Sequence, residues 1–195
     1  MIKRLSWCWL LACVVSCTST LPTQEGQPDT DQAKQLMQLQ HWSLDGKLAF
    51  TVGDDRQSVR FRWTQQANHF DVRLAGPAGL KATHLYSNTT GVVLEQGDHR
   101  EQAMDAETLS QRLIGWPLPA NQFRHWLKGL PAPGTSPDNT RYAENGLLTE
   151  LTQDGWTLHF SQHQQHGNVL LPGHIEARSD RVRVVLLAKQ WQLTP

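Results

Sequence analysis

From Trp42 onward the apolar residues fall on every second position, and this period of two constrains the fold more than any other feature of the chain. Trp42, Leu44, Gly46, Leu48, Phe50 and Val52 share one face, and Ser43, Asp45, Lys47 and Thr51 share the other. After the turn "GDD", Val59, Phe61 and Trp63 alternate with Ser58, Arg60 and Arg62; then Phe70, Val72 and Leu74 alternate with Asp71, Arg73 and Ala75. Three such strands in succession predict an antiparallel meander that meets water on one side only. "GPAG" closes the third strand, and "KATHLYS" and "TGVVLEQG" read as two more.

The middle of the chain changes to helical spacing. Asp105 is placed to cap a segment carrying Ala106, Leu109, Leu113 and Ile114, which Gly115 and Pro117 end. Phe123, Trp126, Leu127 and Leu130 form a second segment, with Lys128 in its last turn and Gly129 and Pro131 as its stop. Strands resume around 147–151, 156–160, 169–175 and 182–191. The last is partly apolar on both faces, so a cover is expected over it. A many-stranded antiparallel sheet interrupted by two short amphipathic helices has no second sheet to bury its face. It must curl, with the helices packed into the concave side.

The other end of the chain poses a different problem. All three cysteines, Cys8, Cys13 and Cys17, fall in the first seventeen residues, so they cannot staple the body of the protein. Lys3 and Arg4 precede an apolar run from Leu5 to Val15 and a small residue, Ser16, the layout of a secretory signal. The run falls short of the roughly 20 apolar residues of a membrane-spanning helix. "VVSC", ending at Cys17, is similar to a bacterial lipobox, whose cysteine becomes the first mature residue and carries acyl chains. "LLAC", ending at Cys13, is a second match, but cutting there would leave Cys17 as a stray thiol. Residues 1–16 are therefore read as a signal peptide, 17–28 as a lipidated N-terminus and flexible tether, and 29–195 as one domain. The tether would let the domain stand on the order of 20 Å from its anchor. Thr18 follows the cysteine where bacteria that retain lipoproteins in the inner membrane use aspartate, so outer-membrane export is expected.

Signatures of chemistry are sparse. Without Lys3 and Arg4, sixteen Lys and Arg face eighteen Asp and Glu, and no basic stripe argues for nucleic acid. His159, His163 and His166 have a spacing that invites zinc, but they run into a hydrophilic Gln-rich loop, which is the reading adopted; no metal is expected. Arg60, Arg62 and Arg73 are expected to pair across strands with Asp45 or Asp71. No G-x-S-x-G, S-x-x-K or phosphate-binding loop occurs, so neither an enzyme nor a cofactor is expected.

What remains is aromatic. Trp42, Phe50, Phe61, Trp63, Phe70, Phe123, Trp126, Trp156 and Trp191 can converge on the concave side. They either fill a core or line an acyl-sized cavity, and the residue pattern leaves both open. In "LAGPAGLK", Gly76, Pro77 and Gly79 build a tight turn on which Ala78 and Leu80 place apolar groups.

"LIGWPLPANQFRHWLKGLP", residues 113–131, resembles the helix–Pro–helix signature of the outer-membrane lipoprotein receptor family LolB. "LDGKLAF", "VRFRWTQQ", "FDVRLAGPAG", "DGW" and "LPGHIEARSDRVRVVLLAKQW" agree with that family in order, so the resemblance covers essentially the whole mature chain. It implies a mainly β fold, an incomplete and highly curved antiparallel barrel whose short helices plug the concave side. It also implies a monomeric receptor, lipid-anchored in the inner leaflet of the outer membrane. Such a receptor accepts acylated lipoproteins from the periplasmic carrier LolA and inserts them into outer-membrane lipid, with no nucleotide and no covalent step. Trp42, Phe50, Phe61, Trp63, Phe70, Phe123 and Trp126 would line its acyl cavity, and Pro77, Ala78 and Leu80 its membrane-insertion loop. The family usually carries a bulky apolar residue where this chain has Ala78; Leu80 is expected to take over. The competing expectation is a structural or assembly lipoprotein of the outer membrane, acting through protein contacts around a packed core.

Overall fold

The computed structural model describes residues 26–76, 82–114 and 116–194. The leader, Cys17, and the loop residues Pro77, Ala78 and Leu80 lie outside the described residues.

Helix α1 (Thr30–Gln38) starts at Asp29, whose carboxylate accepts hydrogen bonds from the backbone N–H groups of Asp31 and Gln32. Six strands follow as a meander: β1 (His41–Val52), β2 (Asp55–Gln66), β3 (His69–Ala75), β4 (Thr83–Asn88), β5 (Gly91–Gln96) and β6 (His99–Ala103). Helices α2 (Ala106–Ile114) and α3 (Ala120–Trp126) come next. The chain ends in β7 (Asn139–Tyr142), β8 (Leu148–Gln153), β9 (Trp156–Ser161), β10 (Gln164–His166), β11 (Val169–Leu171), β12 (His174–Arg178) and β13 (Val182–Thr194). Eleven of these strands form one sheet in the order β6-β5-β4-β3-β2-β1-β13-β12-β9-β8-β7. The N-terminal meander and the C-terminal strands thus make two halves, joined where β1 pairs with β13 along its whole length. The sheet's two edges, β6 and β7, are not paired with each other, so the barrel is incomplete. The chain that runs from one free edge to the other carries α2 and α3.

The alternation read from sequence is the inner face of this sheet. Trp42, Leu44, Phe61, Trp63, Phe70 and Val72 are buried, while Phe50, near the β1–β2 turn, is only partly buried and packs on the rim of the core. The β1–β13 register slips between Asp45, opposite Gln190, and Gly46, opposite Ala188. The resulting bulge at Lys189 changes which positions of β13 face inward, from Val182, Val184 and Leu186 to Trp191. Gly46 is needed beside it: a Cβ there would stand 2.3 Å from the Leu187 carbonyl oxygen and 2.6 Å from the Phe61 ring. Only a bare backbone lets that ring lie across β1.

Four local expectations change. The strand anticipated over 169–175 is split into β11 and β12, because Pro172 has no N–H to donate and Gly173 packs against the Gln162 carbonyl. The Gln- and His-rich stretch is not all loop, since β10 pairs with β11 as a small separate hairpin. The second face of β13 is not fully covered: Leu187 is 41% exposed. Gly26 N donates to Tyr142 O at 3.0 Å and Asp29 N to Gly146 O at 3.1 Å, so the end of the expected tether is docked onto the β7–β8 turn.

Candidate functional site

The aromatic residues of the interior fall into two sets. On the sheet, Trp42 stacks on Trp63 with centroids 6.2 Å apart, meets Trp191 at 5.2 Å, and Trp63 meets Phe70 at 5.7 Å. Around α3, Phe123 packs edge-on against Trp126 at 5.2 Å and Trp156 at 5.7 Å, and Trp116 meets Trp156 at 6.2 Å. Both sets belong to one buried core with Phe61. The structure therefore brings together six of the seven predicted lining residues and leaves Phe50 at the rim.

Each set contains an indole N–H served by a buried glutamine. Trp63 Nε1 donates to Gln65 Oε1 at 2.9 Å, and Gln65 Nε2 donates to Ala67 O. Gln153, 0% exposed, uses its amide four times. Its Oε1 accepts from Trp126 Nε1 and from Ala132 N, both at 2.9 Å, and its Nε2 donates to Ala132 O and Thr135 O. A fully satisfied buried amide fixes geometry that apolar packing alone would leave adjustable.

These bonds show which half of the sheet holds each helix. Helix α3 is fastened to the C-terminal half, through Trp126 to Gln153 on β8 and through Gln122 Nε2 to Asp154. It also follows α1: Lys128 Nζ donates to Leu36 O at 2.7 Å and to Leu39 O at 3.1 Å, a cation capping the C-terminus of α1. Helix α2, capped by Asp105 accepting from Thr108 N, packs instead against β5 and β6 of the meander. Between α3 and the meander, the described residues show one hydrogen bond, Arg124 Nη1 to Asn68 Oδ1, and it is exposed. The two lid helices thus belong to opposite halves, linked by the 115–119 segment, where Leu118 N donates to Ser110 Oγ at 2.7 Å.

Two clefts accompany this arrangement, and neither is the apolar chamber anticipated from sequence. One, of about 90 Å³, lies on the seam where the end of α1, the β2–β3 turn and α3 meet, with Trp42 in its wall. Its other lining groups include Met37, Leu39, Gln65, Asn68, Arg124, His125 and Lys128, and no carboxylate. Burial, followed by the charges of Lys128 and Arg124, pulls His125 down to about 4, and burial pulls Lys128 down to about 8. The other cleft, of about 510 Å³, lies on the polar strand face among Arg62, Thr64, Asp71, Arg73 and Tyr86, and reaches Phe70. Charges there pair as expected in part: Arg62 grips Asp45 at 2.7 and 3.0 Å, whereas Asp71 takes Arg73 of its own strand and His84 of β4. Of the histidines weighed for zinc, His159 lies 3.7 Å from Glu150.

An open, strongly curved antiparallel sheet with helices laid across its aromatic face recurs in solved structures. A crystal structure of a LolA superfamily protein from Nitrosomonas europaea superposes with a TM-score of 0.53 at 10% identity, over 85% of this chain and 91% of that one. A DUF1329 family protein from Desulfovibrio piger gives a TM-score of 0.51 at 9% identity, over 84% and 90%. Residues 40–191 match the family described as outer membrane lipoprotein LolB, and the chain belongs to that family. It is 34% identical over 165 residues to the outer-membrane lipoprotein LolB of Cellvibrio japonicus, covering 82% of this chain and 81% of that protein. The same protein of Pseudomonas aeruginosa is 34% identical over 173 residues, covering 86% and 84%.

Proposed function

We propose that the protein is the outer-membrane receptor that takes acylated lipoproteins from the carrier LolA and inserts them into the inner leaflet of the outer membrane. Cys17 is its lipid anchor, and it works as a monomer without nucleotide, metal or covalent catalysis. Three acyl chains of roughly 16 carbons, at about 0.8 kcal/mol per CH₂, would cost on the order of 35 kcal/mol to expose to water together. The cargo must therefore move between apolar surfaces, and its direction follows affinity, from carrier to receptor to bilayer. One observation supports this reading most: the aromatic face of a single open sheet is roofed by helices fastened to opposite halves. Chains enter when α3 and the meander part at the seam, and Trp42, Trp63, Phe70, Phe123 and Trp126 then line the space. Pro77, Ala78 and Leu80, between β3 and β4, form the membrane-insertion loop, with Leu80 supplying the apolar contact that Ala78 is too small to make.

The experiment is transfer of a triacylated lipoprotein from carrier to liposomes. Phe70→Arg puts a charge into the chain path and is expected to stop uptake. Leu80→Glu is expected to leave uptake intact and block insertion. A folded Phe70→Arg protein that still accepts cargo would remove the interior from the mechanism, and unchanged insertion by Leu80→Glu would remove the loop assignment. The rings packed on one another favour a second reading, a structural or assembly lipoprotein with a solid core. On that reading the protein would bind its partners but no acyl chain.

A further inference from the structure

Among the described residues six tryptophans are buried, and their indole N–H groups are treated unequally. Trp63 and Trp126 each donate to a buried glutamine placed for that purpose. Trp116 Nε1 and Trp191 Nε1 are buried too, in residues 7% and 8% exposed, and have no acceptor among the described residues. A buried donor left unpaired is a real cost, and native proteins leave few of them. Here the chain supplies an amide to Trp63 and Trp126 and none to the fully buried donors of Trp116 and Trp191. The orphans are also distributed: Trp191 rests on Trp42 in the sheet set, and Trp116 rests on Trp156 in the set around α3. One unserved donor therefore belongs to each aromatic set. Gln122 Oε1, the third unpaired buried side-chain atom among the described residues, is itself an acceptor and cannot take part in the same way.

We infer that Trp116 and Trp191 are the polar recognition elements of the acyl site, donating their indole N–H groups to the carbonyl oxygens that join the acyl chains to the glyceryl–cysteine head. The inference rests on the receptor reading above and deepens it. Hydrocarbon tails carry no directional information. The ester carbonyls are the acceptors that necessarily enter the interior with them, and each would otherwise be desolvated without a donor. A tryptophan suits the task because its ring packs as hydrocarbon while its N–H can only donate. The same pairing explains how an apolar interior can prefer an acylated glyceryl head to any other hydrocarbon of similar length, since the polar groups of site and ligand satisfy one another.

The test compares two synthetic lipopeptides with the same S-glyceryl-cysteine head and hexadecyl-length chains, one joined through esters and one through ethers. Binding to the purified protein is read by displacement of an acyl-chain fluorophore. The wild-type protein is expected to prefer the diester by about 30-fold, two buried neutral hydrogen bonds contributing about 5-fold each. Trp116→Phe and Trp191→Phe keep the ring and remove only the donor. Each is expected to weaken that preference, and the double variant to abolish it while binding the diether as the wild type does. Thermal unfolding should be no lower in these variants, because no intramolecular bond is lost. Equal binding of both lipids by the wild type, or a preference that survives in the double variant, overturns this inference and leaves the receptor reading standing. Binding of neither lipid removes the receptor reading and this inference with it.

Discussion

The two aromatic sets are built from the same residue types but held in different ways. The set around α3 is locked by Gln153, whose four hydrogen bonds tie α3, the loop from Ala132 to Thr135 and β8 into one body. The set on the sheet has only Gln65, whose two bonds stay within residues 63–67 of its own strand and turn. Polar order therefore ends at the seam between them, where Arg124 and Asn68 make an exposed contact. Such a molecule opens where apolar surfaces separate and rejoin without leaving stranded donors, and the Gln153 network cannot do so.

That contrast can be broken most forcefully at Gln153. Gln153→Leu strands two buried N–H groups and two carbonyls at once, and is expected to lower stability by about 3–5 kcal/mol, at the upper end of single substitutions. Gln65→Leu, which strands Trp63 Nε1 and one carbonyl, should lose about 1–3 kcal/mol. Denaturant unfolding of the two variants ranks them, and equal losses would dissolve the distinction between the sets.

A smaller effect sharpens it by pH. His125 titrates at about 4 in the folded protein against an ordinary value of 6.5, so the unfolded chain binds more protons between these limits. Stability is then lost as pH falls from about 6.5 towards 4, and is fully present above that window. The contribution is about 1–2 kcal/mol once partial solvent screening is allowed for. His125→Gln should flatten the slope of stability against pH in this range. The smallest change belongs to Arg124→Ala. It should shift stability by no more than about 0.5 kcal/mol yet raise the association rate of an acyl-chain probe in stopped flow, because it removes the exposed tie across the seam.

The fold was legible where one period persisted. Trp42 to Val52, Val59 to Trp63 and Phe70 to Leu74 announced the inner face because alternate residues of a half-buried strand must alternate in polarity. Asp105 and the pattern behind it announced α2. β6 was not visible, because "HREQA" is polar on both faces and its only buried residue is Ala103. The glutamines that organise the interior were hidden for another reason. Gln65 and Gln153 sit in polar stretches at hairpin ends, where an amide has no sequence mark that separates an inward acceptor from a surface residue. Lys128, which the sequence puts in the last turn of its segment, reaches to the carbonyls of α1, a contact across 92 residues. The packing of the rings on one another was equally invisible, since composition gives the number of rings and not the space between them.

Entry of acyl chains between the two aromatic sets is tested by saturable binding of an acyl-chain fluorophore to the purified protein. A blue-shifted, saturable signal that quenches tryptophan emission and is displaced by a triacylated lipopeptide is expected. A protein that is folded by circular dichroism and gives no saturable signal at any probe concentration below micelle formation would contradict it.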